Sequence, residues 1–225
     1  MIGSYIIGSI PFGLVVVKLK TGKDLRGVES GRTGGTNAMR AAGLTAGLLT
    51  AALDILKAAV AVWFAGWISP GNHLLHVLAP LAVIVGHNHS MFLPEFNEKG
   101  RFVRLRGGAG GAPSMGGALG LWAPSILIVL PLGALVFFSL GIASVATMSV
   151  ALFAIVLFAV RAAQGHMPWV DVLYPIIAEI LLIWALRPNI RKLVAGTERV
   201  IGNSIYGRIL AKRAAQADQT PNKQS

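Results

Sequence analysis

The sequence predicts an all-α, polytopic membrane protein of about seven transmembrane helices, with three motif loops on the cytoplasmic side. Three observations carry that expectation. The chain is 54% hydrophobic and only 13% charged, with mean hydropathy +0.66, whereas soluble domains are about 25% charged. Its apolar stretches reach the roughly 20 residues that a helix needs to cross a bilayer. Of its 20 Lys and Arg, only Lys57 and Arg161 lie outside residues 18–40, 99–106 and 187–223. Such clustering marks cytoplasmic segments, so all three zones are expected on one face, close to anionic headgroups or phosphate-bearing substrates.

The elements follow in order. Residues 2–18 form a first span kinked at Pro11, which a bilayer tolerates where neighbours re-satisfy the backbone. No basic residue precedes this stretch and no small-residue cleavage site follows it, so it reads as a span and not a removed signal. The basic loop 18–40 places the N-terminus outside. Residues 43–68 return, with Asp54 and Lys57 on one helix face; a structural ion pair and a catalytic role both fit them, the pair being favoured. Ser69-Pro70-Gly71-Asn72 is an outer turn. Residues 74–93 cross inward, ending in Gly86-His87-Asn88-His89-Ser90.

From Ala112 to Leu186 the chain is apolar, and both flanks are basic. An even number of crossings is required, and four short ones fit, with breaks near 122–125, 141–144 and 161–168. The last span is about 170–187. Residues 199–213 can form a basic interfacial helix with Ile201, Ile205 and Ile209 on one side. The whole reads as one domain, 1–213, and a disordered cytoplasmic tail, 214–225.

Three polar clusters meet the inner face, at 29–40, 86–111 and 187–198. The first, from Glu29 to Arg40, sets Gly31, Gly34 and Gly35 among hydroxyls, an amide and two arginines. Glycines allow successive N–H groups to converge on an anion, and arginines add charged hydrogen bonds to phosphate. Thr36 or Asn37 is placed to cap the helix that follows, whose N-terminus favours phosphate. A plain solvated loop also fits this stretch. The second cluster carries another glycine-rich loop, from Arg106 to Ser114.

Several chemistries are set aside. Without cysteine there is no disulfide, thiol catalysis or Cys-ligated metal. His73, His76, His87, His89 and His166 form no defensible ligand set and there is no HExxH, so no metal is expected. No nucleophile elbow is present. The basic zones lack interleaved aromatics, so nucleic acid is not an expected partner. What remains is an anion site at the bilayer surface, able to stabilise charge on a leaving phosphate with no covalent enzyme intermediate. No cofactor is called for.

Gly8-Ser9-Ile10-Pro11-Phe12-Gly13, Asp24-Leu25-Arg26, Ser30-Gly31 and Gly34-Gly35-Thr36-Asn37 through Arg40 resemble the bacterial acyl-phosphate:glycerol-3-phosphate acyltransferases. Asp54-Ile55-Leu56-Lys57 is similar to that family's second helix. Gly86-His87, Phe92, Gly107-Gly108 and Gly110 are similar to its second motif, and Asn189-Ile190, Leu193 and Gly196-Thr197-Glu198 to its third. The resemblance runs through nearly the whole chain, in order. It implies a seven-helix enzyme of the bacterial inner membrane that moves an acyl group from acyl-phosphate to glycerol 3-phosphate. The products would be 1-acylglycerol 3-phosphate and phosphate, with an acyl-phosphate-forming enzyme upstream.

Carried over position by position, Ser30, Arg40 and Asn189 are the expected catalytic residues. Arg32, Gly34, Gly35, Thr36, Asn37, His87, Arg106, Gly107, Gly108, Lys192 and Glu198 are the expected substrate-binding ones, and a serine between Ser139 and Ser144 would line the site. The chain departs from the family pattern at five positions. Glu29 and Arg32 flank Ser30-Gly31 where the family has glycine and asparagine. Ala109 stands in place of a lysine, Leu186 in place of a histidine, and Lys192 in place of an arginine. Arg32, Arg104 and Arg106 are the candidates to restore the lost charge. Two other readings accommodate these changes: the same fold with an altered donor or acceptor, and a diverged homologue that binds or transports a phosphate-bearing lipid or small anion. Transport fits less well, because the midplane offers only Asp54 and Lys57 where transporters place their sites.

Overall fold

The computed structural model describes residues 1–218, and 219–225 lie outside the described residues. The chain forms a helical bundle in chain order: α1 (Ile2–Ser9), α2 (Phe12–Thr21), a 3₁₀ turn (Leu25–Gly27), α3 (Gly35–Ala42), α4 (Leu44–Ile68) and α5 (His73–Asn88). A hairpin of β1 (Pro94–Phe96) and β2 (Phe102–Leu105) follows, then α6 (Gly111–Leu121), α7 (Ser125–Leu140), α8 (Ala143–Ala163), α9 (Trp169–Val194) and α10 (Ile205–Asp218).

Among the described residues, four stretches are long and apolar enough to cross a membrane: Ile2–Thr21, Leu44–Ile68, Ala143–Ala163 and Trp169–Val194. Helices α5 and α7 are apolar but only 16 residues each, and α6 has 11. At 1.5 Å per residue, α6 covers roughly 16 Å, about half the hydrocarbon thickness. By length and composition, four of the seven expected spans are met, and α5, α6 and α7 are too short to count with them. The expected breaks near 122–125, 141–144 and 161–168 all fall between helices.

The first span is interrupted at Ile10-Pro11, and the break is closed from outside. Lys57 Nζ donates to the Ile10 carbonyl at 3.1 Å and sits 5.5 Å from the Phe12 ring centroid. The Ser90 hydroxyl donates to the Ser9 carbonyl. Proline removes a donor from the helix ladder; the Ile10 N–H serves the Ile7 carbonyl, and the two side chains serve the Ser9 and Ile10 carbonyls at the break.

Packing against α4 is tightest at α6. A Cβ on Gly116 would overlap the Ile55 carbonyl oxygen, and one on Gly120 would overlap Val62. Small residues four apart let two helix backbones approach closely in a membrane. Deeper in, Phe158, Val129, Ile84 and Tyr174 form the core, and the Tyr174 hydroxyl donates to the Ser114 carbonyl at 2.7 Å. Outward, Trp67, Leu127, Phe138, Ile180 and Trp184 are exposed, the apolar band that lipid requires.

Four expectations need correction. The third motif is a loop only from residue 195, because α9 runs past 187 to Val194 with Pro188 inside it. Pro188 leaves the Trp184 carbonyl without its usual donor, and Arg187 Nε donates there instead at 2.9 Å. Helix α5 ends at Asn88, not 93, and the basic run after it folds into the β1–β2 hairpin, Pro94 opposite Leu105. Neither Thr36 nor Asn37 caps a helix. Helix α3 opens at Gly35 with Gly34 at its N-cap and no side-chain cap, because the Asn37 amide is bonded elsewhere. The helix placed at 199–213 begins at Ile205 and reaches Asp218. It takes in the start of the expected tail 214–225, whose residues 219–225 lie outside the described residues.

Candidate active site

The first polar loop is bonded into a fixed shape. Asp24 accepts from the Arg26 backbone N–H at 2.8 Å and pairs with the Arg26 side chain. That guanidinium holds the Asp24 carboxyl well below its usual range, at about 2. Asn37 Nδ2 donates to the carbonyls of Arg32 at 2.9 Å and Val28 at 3.0 Å, folding the loop back over α3. Glu29 takes φ +47°, a left-handed backbone that glycine favours. Its side chain pairs with Arg199, which pulls the Glu29 carboxyl below its ordinary value.

Arg32 joins this loop to α9, donating from Nη2 to the Ala185 carbonyl at 2.7 Å. Burial pulls its guanidinium down from the ordinary value while Glu198 opposes that shift; it remains a cation. The Thr33 N–H donates to the Gly107 carbonyl at 3.3 Å, and Arg106 Nη2 to the Arg26 carbonyl at 3.1 Å. Thus the first and second motifs are stitched together.

The second glycine pair packs on a histidine. The Gly108 N–H donates to the His87 carbonyl at 2.8 Å. A Cβ on Gly107 would overlap that carbonyl, and one on Gly108 would overlap His87 Nε2. These positions exclude side chains, whatever else they bind. From the third motif, Asn189 Nδ2 donates to Glu198 Oε1 at 2.8 Å, and the Ser144 hydroxyl reaches the same oxygen at 3.3 Å.

Two adjoining cavities result. The smaller, about 200 Å³, is lined by Ser30, Arg32, Gly34, Gly35, Thr36, Asn37, Arg40, Asp54, His87, Ser144, Thr147, Asn189 and Glu198. The larger, about 710 Å³, is lined by Arg104, Arg106, Gly107, Gly108, Arg187, Arg191 and Lys192. Ser30, Arg32 and Asn189 belong to both. Every residue singled out from the sequence lines one or the other, but Arg40 and Arg106 stand on opposite sides of the shared wall. Arg40 makes no side-chain hydrogen bond or ion pair among the described residues, and the N–H groups of Gly35 and Thr36 have no backbone acceptor. A free guanidinium beside open helix N–H groups is a receptor for an anion.

The family model for glycerol-3-phosphate acyltransferase matches residues 1–196. The chain belongs to that family. It is 36% identical over 213 residues to glycerol-3-phosphate acyltransferase 3 of Dehalococcoides mccartyi (strain CBDB1), covering 88% of this chain and 93% of that one. It is 37% identical over 208 residues to glycerol-3-phosphate acyltransferase 2 of Moorella thermoacetica, covering 90% and 96%. It is also similar to the crystal structure of PlsY (YgiH), an integral membrane glycerol 3-phosphate acyltransferase, in its glycerol 3-phosphate form. There the TM-score is 0.76 at 29% identity, over 89% of this chain and 93% of that chain.

Within the acyltransferase fold, some lining residues were not singled out from the sequence. Thr147 gives no signal in the sequence, since it sits in an unbroken apolar run. Ser144 fell in the right segment without a fixed register. Asp54 forms the expected ion pair, with Lys57 Nζ at 2.7 Å, and it also lines the floor of the smaller cavity. Ala109 and Leu186 line the same cavity.

Proposed function

We propose that this protein transfers an acyl group from acyl-phosphate to a hydroxyl of glycerol 3-phosphate, forming 1-acylglycerol 3-phosphate and phosphate. The observation that carries the reading is the unpaired Arg40 in a cavity where all three motifs meet. Arg40 and the open N–H groups of Gly35 and Thr36 hold a phosphate, with Arg32 across the cavity. Ser30, Thr36 and Asn189 orient the attacking hydroxyl, and Glu198 fixes the Asn189 amide. The hydroxyl oxygen attacks the acyl carbonyl carbon, the carbon–oxygen bond to phosphate breaks, and the cations hold the charge on the departing phosphate. Preorganised donors of this kind lower the barrier without a covalent enzyme intermediate. In this reading the protein sits in a bacterial inner membrane with the motifs at the cytoplasmic face, and an acyl-phosphate-forming enzyme supplies the donor.

The test is purified protein with acyl-phosphate and labelled glycerol 3-phosphate, with no thioester added. Labelled lysophosphatidic acid is the expected product. Ala109 and Leu186 in the cavity wall favour one second reading, the same fold with another acyl donor. Product formed only from a thioester would select it, and no product from either donor would overturn both.

A further inference from the structure

Beneath the smaller cavity lies a buried polar cluster that the reaction above does not use. Asp54, Lys57 and His87 are all sealed within the bundle, at 0%, 4% and 4% exposure. Three polar groups at that depth are costly in a membrane and are kept for a reason. Their geometry specifies a protonation pattern. Lys57 Nζ lies 3.1 Å from the Ile10 carbonyl, 3.0 Å from His87 Nδ1 and 2.7 Å from Asp54 Oδ1. The carboxylate supplies the countercharge, although neither of its oxygens receives a well-directed hydrogen bond and both are shut off from solvent. Asp54 is therefore not exposed to take a proton from substrate.

His87 Nδ1 lies 3.0 Å from Lys57 Nζ and 3.5 Å from Asp54 Oδ1; with Lys57 as an ammonium, which has only donors, the shorter contact makes Nδ1 the acceptor. The single ring proton is then on Nε2. That nitrogen has no hydrogen-bond partner among the described residues, yet it is not among the sealed polar atoms. Among the described residues it is the one unpartnered polar atom of the cluster that is not sealed, and it lies beside Gly108 on a residue that lines the smaller cavity. We propose that Lys57 is a positioning residue that locks His87 in the Nε2–H tautomer, so that His87 serves as a fixed hydrogen-bond donor to a phosphate oxygen of the bound substrate. His87 is thereby neither a base nor a proton shuttle. During acyl transfer the hydroxyl oxygen bonds to the acyl carbon, the bond from that carbon to phosphate breaks, and the hydroxyl proton leaves on the phosphate. The Nε2 proton stays on His87 throughout.

This inference rests on the phosphate-binding reading of the cavity. Its first test needs no substitution: nitrogen-15 NMR of histidine-labelled wild-type protein in detergent. A proton on Nε2 with a bare Nδ1 is expected; a proton on Nδ1, or on both nitrogens, overturns the proposal. The second test compares two variants. In His87→Gln the side-chain amide nitrogen stands near the Nε2 position, and in His87→Asn near Nδ1. His87→Gln should keep kcat within about 10-fold, whereas His87→Asn should lose about 100-fold, the scale of one missing transition-state donor. Equal losses in both overturn it. Lys57→Met should release the tautomer preference in the same spectrum, and an unchanged ring would count against the lock. Wild-type turnover of acyl-phosphate is measured alongside, so a failed tautomer and a failed reaction are distinguished.

Discussion

At residue 29 the chain keeps a backbone that suits another side chain. Glu29 holds φ +47°, and a left-handed conformation is costly for any residue with a Cβ. The Arg199 pair that compensates is exposed, and exposed pairs contribute little. Glu29→Gly should therefore raise Tm by about 2–4 °C in a detergent melt; an unchanged or lower Tm would show that the pair with Arg199 outweighs the strain. Arg32 shows the opposite case, a departure that does something. Its guanidinium spans from the first loop to the Ala185 carbonyl and faces both cavities. Losing a charged hydrogen bond costs about 1.5–3 kcal/mol, so Arg32→Ala should lower kcat/KM for glycerol 3-phosphate by about 10- to 150-fold. Arg32→Lys keeps the charge but not the fork and should fall between. Wild-type rates in Arg32→Ala would place the working cation elsewhere, at Arg40 alone. The identity of these residues was legible from motif order. Their contacts were not, because a hydrogen bond such as Asn37 to the Arg32 carbonyl depends on a loop path that no periodicity encodes.

Among the elements, α6 decides how close the second glycine loop comes to α4. It is 11 residues long and carries Gly116 and Gly120 against the backbone and side chains of α4. Gly116→Ala forces the two helices apart, and overpacking of this kind costs about 1–3 kcal/mol. Thermal unfolding in detergent should fall accordingly, while Gly202→Ala, with open space around it, should leave Tm unchanged. Equal behaviour of the two variants would mean that the α4–α6 contact is not tight. The breaks between helices were readable, since Gly141 and Pro168 interrupt apolar runs where a turn is needed. The extension of α9 past Pro188 was not, because its cause is local: Arg187 takes over the Trp184 carbonyl that proline leaves bare. The β1–β2 hairpin was likewise hidden, since a run of arginines reads as loop until Phe96 and Phe102 are seen to pack edge to face at 6.2 Å.

For the whole molecule, sidedness is what relates charge to the site. Charge placement along the chain located all three motifs on one face before any contact was known, and the two cavities share Ser30, Arg32 and Asn189 across that face. Convergence was legible because it follows from crossing parity and the distribution of cations; the division into two chambers was not, because it depends on how Arg32 lies against α9. The same placement predicts which side faces the cytoplasm. The turn Ser69-Pro70-Gly71-Asn72 carries no basic residue and should lie outside, whereas the hairpin around Lys99 should lie inside. The chain has no cysteine, so a single introduced thiol reports on one position only. In intact cells a membrane-impermeant maleimide should label Asn72→Cys at once and Lys99→Cys only after permeabilisation. Labelling of Lys99→Cys from outside would put the proposed phosphate-binding cavity on the wrong side of the membrane for a cytoplasmic substrate, and would separate the proposed reaction from its supply of glycerol 3-phosphate.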